Sequence, residues 1–182
     1  MSIPNYLTLF RILLTPAFFI TLVSYSPEKE GLRLIALTIF VVAALTDALD
    51  GILARFLKQR TALGQVLDPL ADKILLVSAY VGLLFVTTLP FRPPLWITVT
   101  IIFRDLILLI GFFVLSFADT KNDIKFEVQP NFLGKLTTVS QMLLLCFILL
   151  EWPIALPLAY LTAAFTIASG IIYITQGLKF IQ

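Results

Sequence analysis

The chain has 182 residues, 59% of them hydrophobic and only 13% charged, with a mean hydropathy of +1.00. A soluble domain averages about 45–50% apolar and about 25% charged residues, so this composition excludes a secreted disulfide scaffold, a disordered chain and a compact soluble enzyme. The net charge of +2 carries little meaning until it is divided by membrane side; the absence of histidine removes His bases, Ser-His-Asp triads and His-ligated zinc, and a lone Cys146 removes an internal disulfide or cysteine metal cluster.

The predicted class is an all-α membrane protein, a bundle of six transmembrane helices forming a single domain over residues 1–182. The apolar runs place spans at 7–24, 33–54, 70–89, 95–117, 134–151 and 154–176, each near the roughly 20 residues that cross hydrocarbon as a helix. No charged leader with a small-residue cleavage site precedes the first span, so it reads as a retained helix. Pro90, Pro93 and Pro94 break the chain between spans three and four. Short connections predict that helices consecutive in sequence are antiparallel neighbours. Nine Lys and Arg (Arg11, Arg55, Lys58, Arg60, Lys73, Lys121, Lys125, Lys135, Lys179) fall on the side of the termini, against three (Lys29, Arg33, Arg92) on the other. The positive-inside rule then puts both termini and the 55–69 and 118–133 loops in the cytoplasm.

The passage from span two into span three carries the chemistry. Asp47 and Asp50 are three apart, and Asp68 and Asp72 four apart, so each pair shares one helix face. Asp47 lies about 10 Å inside the end of its span at ~1.5 Å per residue. A carboxylate at such depth costs ~2.5–3.5 kcal/mol even on the lenient insertion scale. The flanking cations Arg55 and Lys73 cannot neutralise four carboxylates, whereas divalent ions can. An all-oxygen cluster favours Mg²⁺, Mn²⁺ or Ca²⁺ over zinc or copper. Gly51 and Ala54 leave a smooth stripe for a planar base or a pyrophosphate, although small residues at that spacing also serve helix packing.

Asp47, Asp50, Gly51, Ala54, Arg55, Gly64, Asp68 and Asp72 together spell D-x2-D-G-x2-A-R-x8-G-x3-D-x3-D. This resembles, without a gap, the signature of the CDP-alcohol phosphatidyltransferase family. Further likeness lies in Ile3 to Arg11, in Arg104-Asp105 and in Gly134-Lys135 with Thr137, Thr138 and Gln141. These segments look like the family's phosphatidylglycerophosphate and cardiolipin synthases. The resemblance implies a homodimeric membrane enzyme that moves the phosphatidyl group of CDP-diacylglycerol to an alcohol and releases CMP. It implies that Asp47, Asp50, Asp68 and Asp72 hold two divalent cations, Mg²⁺ or Mn²⁺, and that Asp72 is also the catalytic base. It places Asn5, Thr8, Gly51, Ala54, Arg55 and Gly64 around the CDP moiety. The partners implied are membrane lipids, CDP-diacylglycerol and a glycerol-type acceptor, with no nucleic acid.

Displacement at phosphorus also suits the residues present, since no His, Cys or activated Ser is available to form a covalent intermediate. An anionic acceptor needs cations, and Arg104 and Lys135 are the candidates. The position two turns after Arg104 is Phe112, where bacterial phosphatidylglycerophosphate synthases commonly carry a second arginine, and Gln129-Pro130 leans toward eukaryotic-type cardiolipin synthases. Glycerol-3-phosphate and phosphatidylglycerol therefore both stand as acceptors, the first because it is the commoner one among short relatives. A small ion or proton transporter is the alternative from another class. Against it, the acidic groups gather at one end of the bundle, with no inverted repeat or paired broken helix.

Overall fold

The computed structural model describes residues 3–56, 62–122 and 132–179, and within them the side chains of 6–47, 70–111, 113 and 132–175. Six long helices make up the described residues: α1 (Ile3–Val23), α2 (Glu30–Phe56), α3 (Ala62–Phe85), α4 (Leu95–Asn122), α5 (Phe132–Leu149) and α6 (Ala155–Lys179). One 3-10 turn, Pro27–Lys29, leads into α2. The all-helical class is as the sequence predicts. Among the described residues, three helices contain stretches long and apolar enough to cross a membrane: Tyr6–Val23, Phe132–Leu149 and Ala155–Thr175.

Several boundaries shift. The 55–69 segment, expected as a loop, is largely helical, because α2 runs on to Phe56 and α3 already begins at Ala62. Asp68 and Asp72 thus lie on one helix, well past its first turn. The expected 118–133 loop is likewise shortened by the extension of α4 to Asn122.

Chain neighbours are not always packing neighbours. Among the described residues α1 packs along both α2 and α3, α3 along α4, α4 along α6, α6 along α5, and α5 along α2. The result is a closed ring in the order α1, α3, α4, α6, α5, α2, with α3 also touching α5 across the interior. This differs from the expectation that each helix lies beside the next in sequence: among the described residues α2 and α3 share no extended contact, while α1 lies against both. The reason is legible in α1, whose buried stripe Thr8, Arg11, Thr15, Phe18 and Leu22 repeats at three- and four-residue spacing. Its other face exposes Tyr6, Phe10, Leu13 and Ile20, as a lipid-facing surface would.

Small residues set the closest approaches. A Cβ at Gly82 on α3 would come within 2.8 Å of Leu22 Cδ2 on α1, and one at Gly134 on α5 within 2.6 Å of the Tyr173 hydroxyl on α6. Neither helix pair can close this tightly around a larger side chain. Hydroxyls stitch the remaining seams: Tyr80 donates to the Gln141 carbonyl at 2.9 Å and Thr137 to the Phe165 carbonyl at 3.2 Å.

The turn after α5 is closed by a paired cap. Glu151 N donates to Ile148 O and Trp152 N to Phe147 O, both at 3.0 Å, and the Phe147 and Trp152 rings stack with centroids 5.4 Å apart. This is the hydrogen-bond pattern of a Schellman cap, whose left-handed residue is usually glycine. Here it is Glu151, at φ 55°. Its carboxylate accepts from the Tyr25 hydroxyl at 3.1 Å and pairs with Arg33 Nε at 3.3 Å, contacts glycine could not make. Burial, and then the Glu151 carboxylate, hold the Tyr25 hydroxyl above the usual phenol range, so it stays a donor. Glu151→Ala keeps the strained backbone and loses both contacts. It is expected to lower stability by about 1 kcal/mol, more than Tyr25→Phe does, as read by thermal unfolding in detergent.

Candidate active site

The site lies where α1, α2, α3 and α4 approach one another, and its described part is built from ions. Arg11 on α1 is fully buried and meets Asp47 on α2 at 2.6 Å. The contact is Coulombic, without the alignment of a hydrogen bond. Thr8, one turn earlier on the same face, is also fully buried. Asp72, one turn beyond Asp68 on α3, lies within electrostatic reach of Asp47, Arg11, Lys73 and Asp105. Its Oδ1 is buried and has no hydrogen-bond partner.

A second cluster lies beside it. Asp105 on α4 is fully buried, and its Oδ1 accepts from Lys73 Nζ of α3 at 3.0 Å and from Arg104 Nη1 at 2.7 Å. Arg104 Nη2 donates to Ser169 Oγ on α6 at 2.6 Å, and the guanidinium lies 5.7 Å from the centroid of the Tyr173 ring. Tyr173 in turn sets its hydroxyl against Gly134, next to Lys135. Lys135 itself is exposed near the start of α5. Arg104 is thus engaged with Asp105, Ser169 and Tyr173, the ion pair with its chain neighbour included. Deeper in the bundle the Gln141 amide is buried with neither Oε1 nor Nε2 partnered.

Asn5, Asp50, Gly51, Ala54, Arg55, Gly64 and Asp68 lie outside the described side chains. Among the described residues no three acidic, His or Cys side chains gather into a metal-binding group. The described half of the cluster still fits a hard cation. Asp72 Oδ1 is an acceptor buried without a donor, a state it shares with Asp105 Oδ2, and a cation is a ligand that would complete it.

Two participants escaped the reading of the sequence. In the sequence Arg11 stands as a cytoplasmic charge, as the end of the family-like Ile3 to Arg11 segment and as a cation behind Arg104 and Lys135, yet in the structure it is the cation on Asp47. Its signal was a single arginine within an otherwise apolar helix. Asp105 is the common acceptor for Lys73 and Arg104, and only the adjacent Arg104 hinted at it.

A model of the CDP-alcohol phosphatidyltransferase family matches residues 1–172, and the chain belongs to that family. It is an enzyme of that class, a membrane-embedded transferase of phospholipid biosynthesis. Similar proteins divide between two acceptor types. The chain is 32% identical to the probable phosphatidylglycerophosphate synthase of Mycobacterium tuberculosis, over 98% of this chain and 82% of that protein. It is 36% identical to the CDP-diacylglycerol–glycerol-3-phosphate 3-phosphatidyltransferase of Haemophilus influenzae, over 95% of this chain and 91% of that one. It is also 36% identical to human cardiolipin synthase (CMP-forming), over 79% of this chain and 48% of the human protein.

Arg11→Met leaves Asp47 without its buried cation. Because Asp47 is one-third exposed, water offsets part of the loss, and a destabilisation of about 2 kcal/mol is expected. Thermal unfolding with and without Asp47→Asn checks it: the double variant should recover part of the loss.

Proposed function

We propose that this protein transfers the phosphatidyl group of CDP-diacylglycerol to glycerol-3-phosphate, giving phosphatidylglycerophosphate and CMP. The observation that carries the reading is the ungapped eight-residue signature, together with the buried, unpartnered Oδ1 of its last aspartate. The names of the relatives from Haemophilus and Mycobacterium support the acceptor. A second reading, phosphatidylglycerol as acceptor, is favoured by the likeness to human cardiolipin synthase. In both, all six helices span the membrane, the termini and the acidic cluster face the cytoplasm, and the working unit is a homodimer.

Asp47, Asp50, Asp68 and Asp72 are the residues that would hold a pair of Mg²⁺ or Mn²⁺ ions. When bound, such ions would supply positive charge that offsets the negative charge developing on the departing CMP. The protein's own groups divide the remaining work. Arg11 holds Asp47 at the inner end of the cluster. Gly51, Ala54, Arg55 and Gly64, with Asn5 and Thr8, form the cradle for CDP. Lys135, with Arg104 behind it, supplies the positive charge that an anionic acceptor requires. Asp72 takes the proton of the acceptor hydroxyl as that oxygen bonds to the phosphorus bearing the diacylglycerol. The bond from that phosphorus to CMP breaks, CMP leaves with the electron pair, and Asp72 later gives its proton to water. One displacement inverts the configuration at phosphorus.

CMP release from purified protein with CDP-diacylglycerol and Mg²⁺ or Mn²⁺ is expected with glycerol-3-phosphate. Release with phosphatidylglycerol instead would establish the second reading, and release with no acceptor would defeat both. EDTA should stop turnover and either ion restore it. Asp72→Asn should lower kcat by about 10²–10⁴-fold, the usual worth of a positioned base, while CDP-diacylglycerol still binds; equal loss of binding contradicts the role of base.

A further inference from the structure

Lys73 follows Asp72 directly, yet its ammonium is spent elsewhere. It crosses from α3 to α4 and lies 3.0 Å from Asp105 Oδ1. An ammonium inside an apolar bundle needs an anion, because leaving it unpaired costs several kcal/mol. A lysine has a flexible four-carbon stem and no fixed geometry for its partner. Two described carboxylates lie within its electrostatic reach, Asp105 and Asp72. Pairing with Asp72 would occupy an oxygen that a cation has to reach. The structure shows the other arrangement, with Lys73 on Asp105 and Asp72 Oδ1 unpartnered.

Asp105 is well placed to hold the lysine. It is fully buried, so its attraction is weakly screened. It is anchored on its own side by Arg104, which Ser169 and Tyr173 fix in turn. The anchor therefore runs through α6, away from the acidic cluster.

We propose that Asp105 is a positioning residue that draws Lys73 away from the acidic cluster and so keeps Asp72 open to a divalent cation. In this role it acts through Lys73 alone, and its own unpartnered Oδ2 is not a ligand of the cation. The proposal rests on the metal-dependent reading of the site. That reading has its own control: wild-type protein should bind Mn²⁺ and Asp72→Asn should bind it more weakly.

The test is Mn²⁺ binding by purified protein, read from the electron paramagnetic resonance signal of the free ion, with thermal unfolding recorded alongside. Asp105→Asn releases Lys73 and should weaken Mn²⁺ binding by about ten-fold or more, the scale on which groups behind the metal ligands act. Asp105→Glu should retain most of the affinity. The decisive variant is Asp105→Asn combined with Lys73→Met, which removes the competing ammonium and should recover most of the lost affinity even though its unfolding temperature stays low. A double variant that binds as weakly as Asp105→Asn alone would make Asp105 a structural clamp and overturn the proposal, as would an Asp105→Asn protein with wild-type affinity. Should Asp105→Asn fail to fold, Lys73→Met alone decides. Binding as tight as wild type or tighter supports the proposal, and ten-fold weaker binding overturns it by making Lys73 part of the site.

Discussion

A charge inside a helical bundle must be matched by another charge, and among the described residues two of the matches join different helices. Arg11 of α1 meets Asp47 of α2, and Lys73 of α3 meets Asp105 of α4. Arg104 joins the second pair and carries it on to Ser169 of α6. Each pair is costly to desolvate and costlier to break, so each fixes the relative register of the helices it joins. The apolar contacts of Phe18, Phe40, Leu75 and Leu145 supply packing around these pairs, but such contacts are non-directional and tolerate sliding. The ion pairs do not.

The ring order places α1 against both helices that carry the signature, since among the described residues α1 packs along α2 and along α3. Arg11 on α1 partners Asp47 of α2. Asp72 of α3 lies within electrostatic reach of both and keeps an unpartnered oxygen. The helix shared by the two signature-bearing segments thus supplies one of the site's cations.

Much of the site was legible because its signature lies in one stretch of chain. The spacings of Asp47, Asp50, Asp68 and Asp72 are local, and a helix converts local spacing into a shared face. The residues contributed by distant helices were harder to read. Arg11 is separated from Asp47 by most of two helices, and a single arginine in an apolar run reads equally well as an interfacial anchor. Asp105 pairs with its neighbour Arg104 and also with Lys73, 32 positions away, a partner its local sequence does not indicate. Glu151 gave no sign of its left-handed backbone, since glycine is the usual occupant of such a cap.

Composition and periodicity alone determined that this is a membrane-embedded helical protein and where the apolar cores of its helices lie, though not where α3 begins or α4 ends, because hydrophobic run length and helix period are properties of a single segment. The signature alone determined the family, because its residues are contiguous. The order of the helices around the ring, and the choice of which cation serves which carboxylate, belonged to the tertiary structure. Both follow from side-chain fit and charge matching between segments far apart in the chain, such as Gly82 against Leu22 and Lys73 against Asp105. No single segment contains that information.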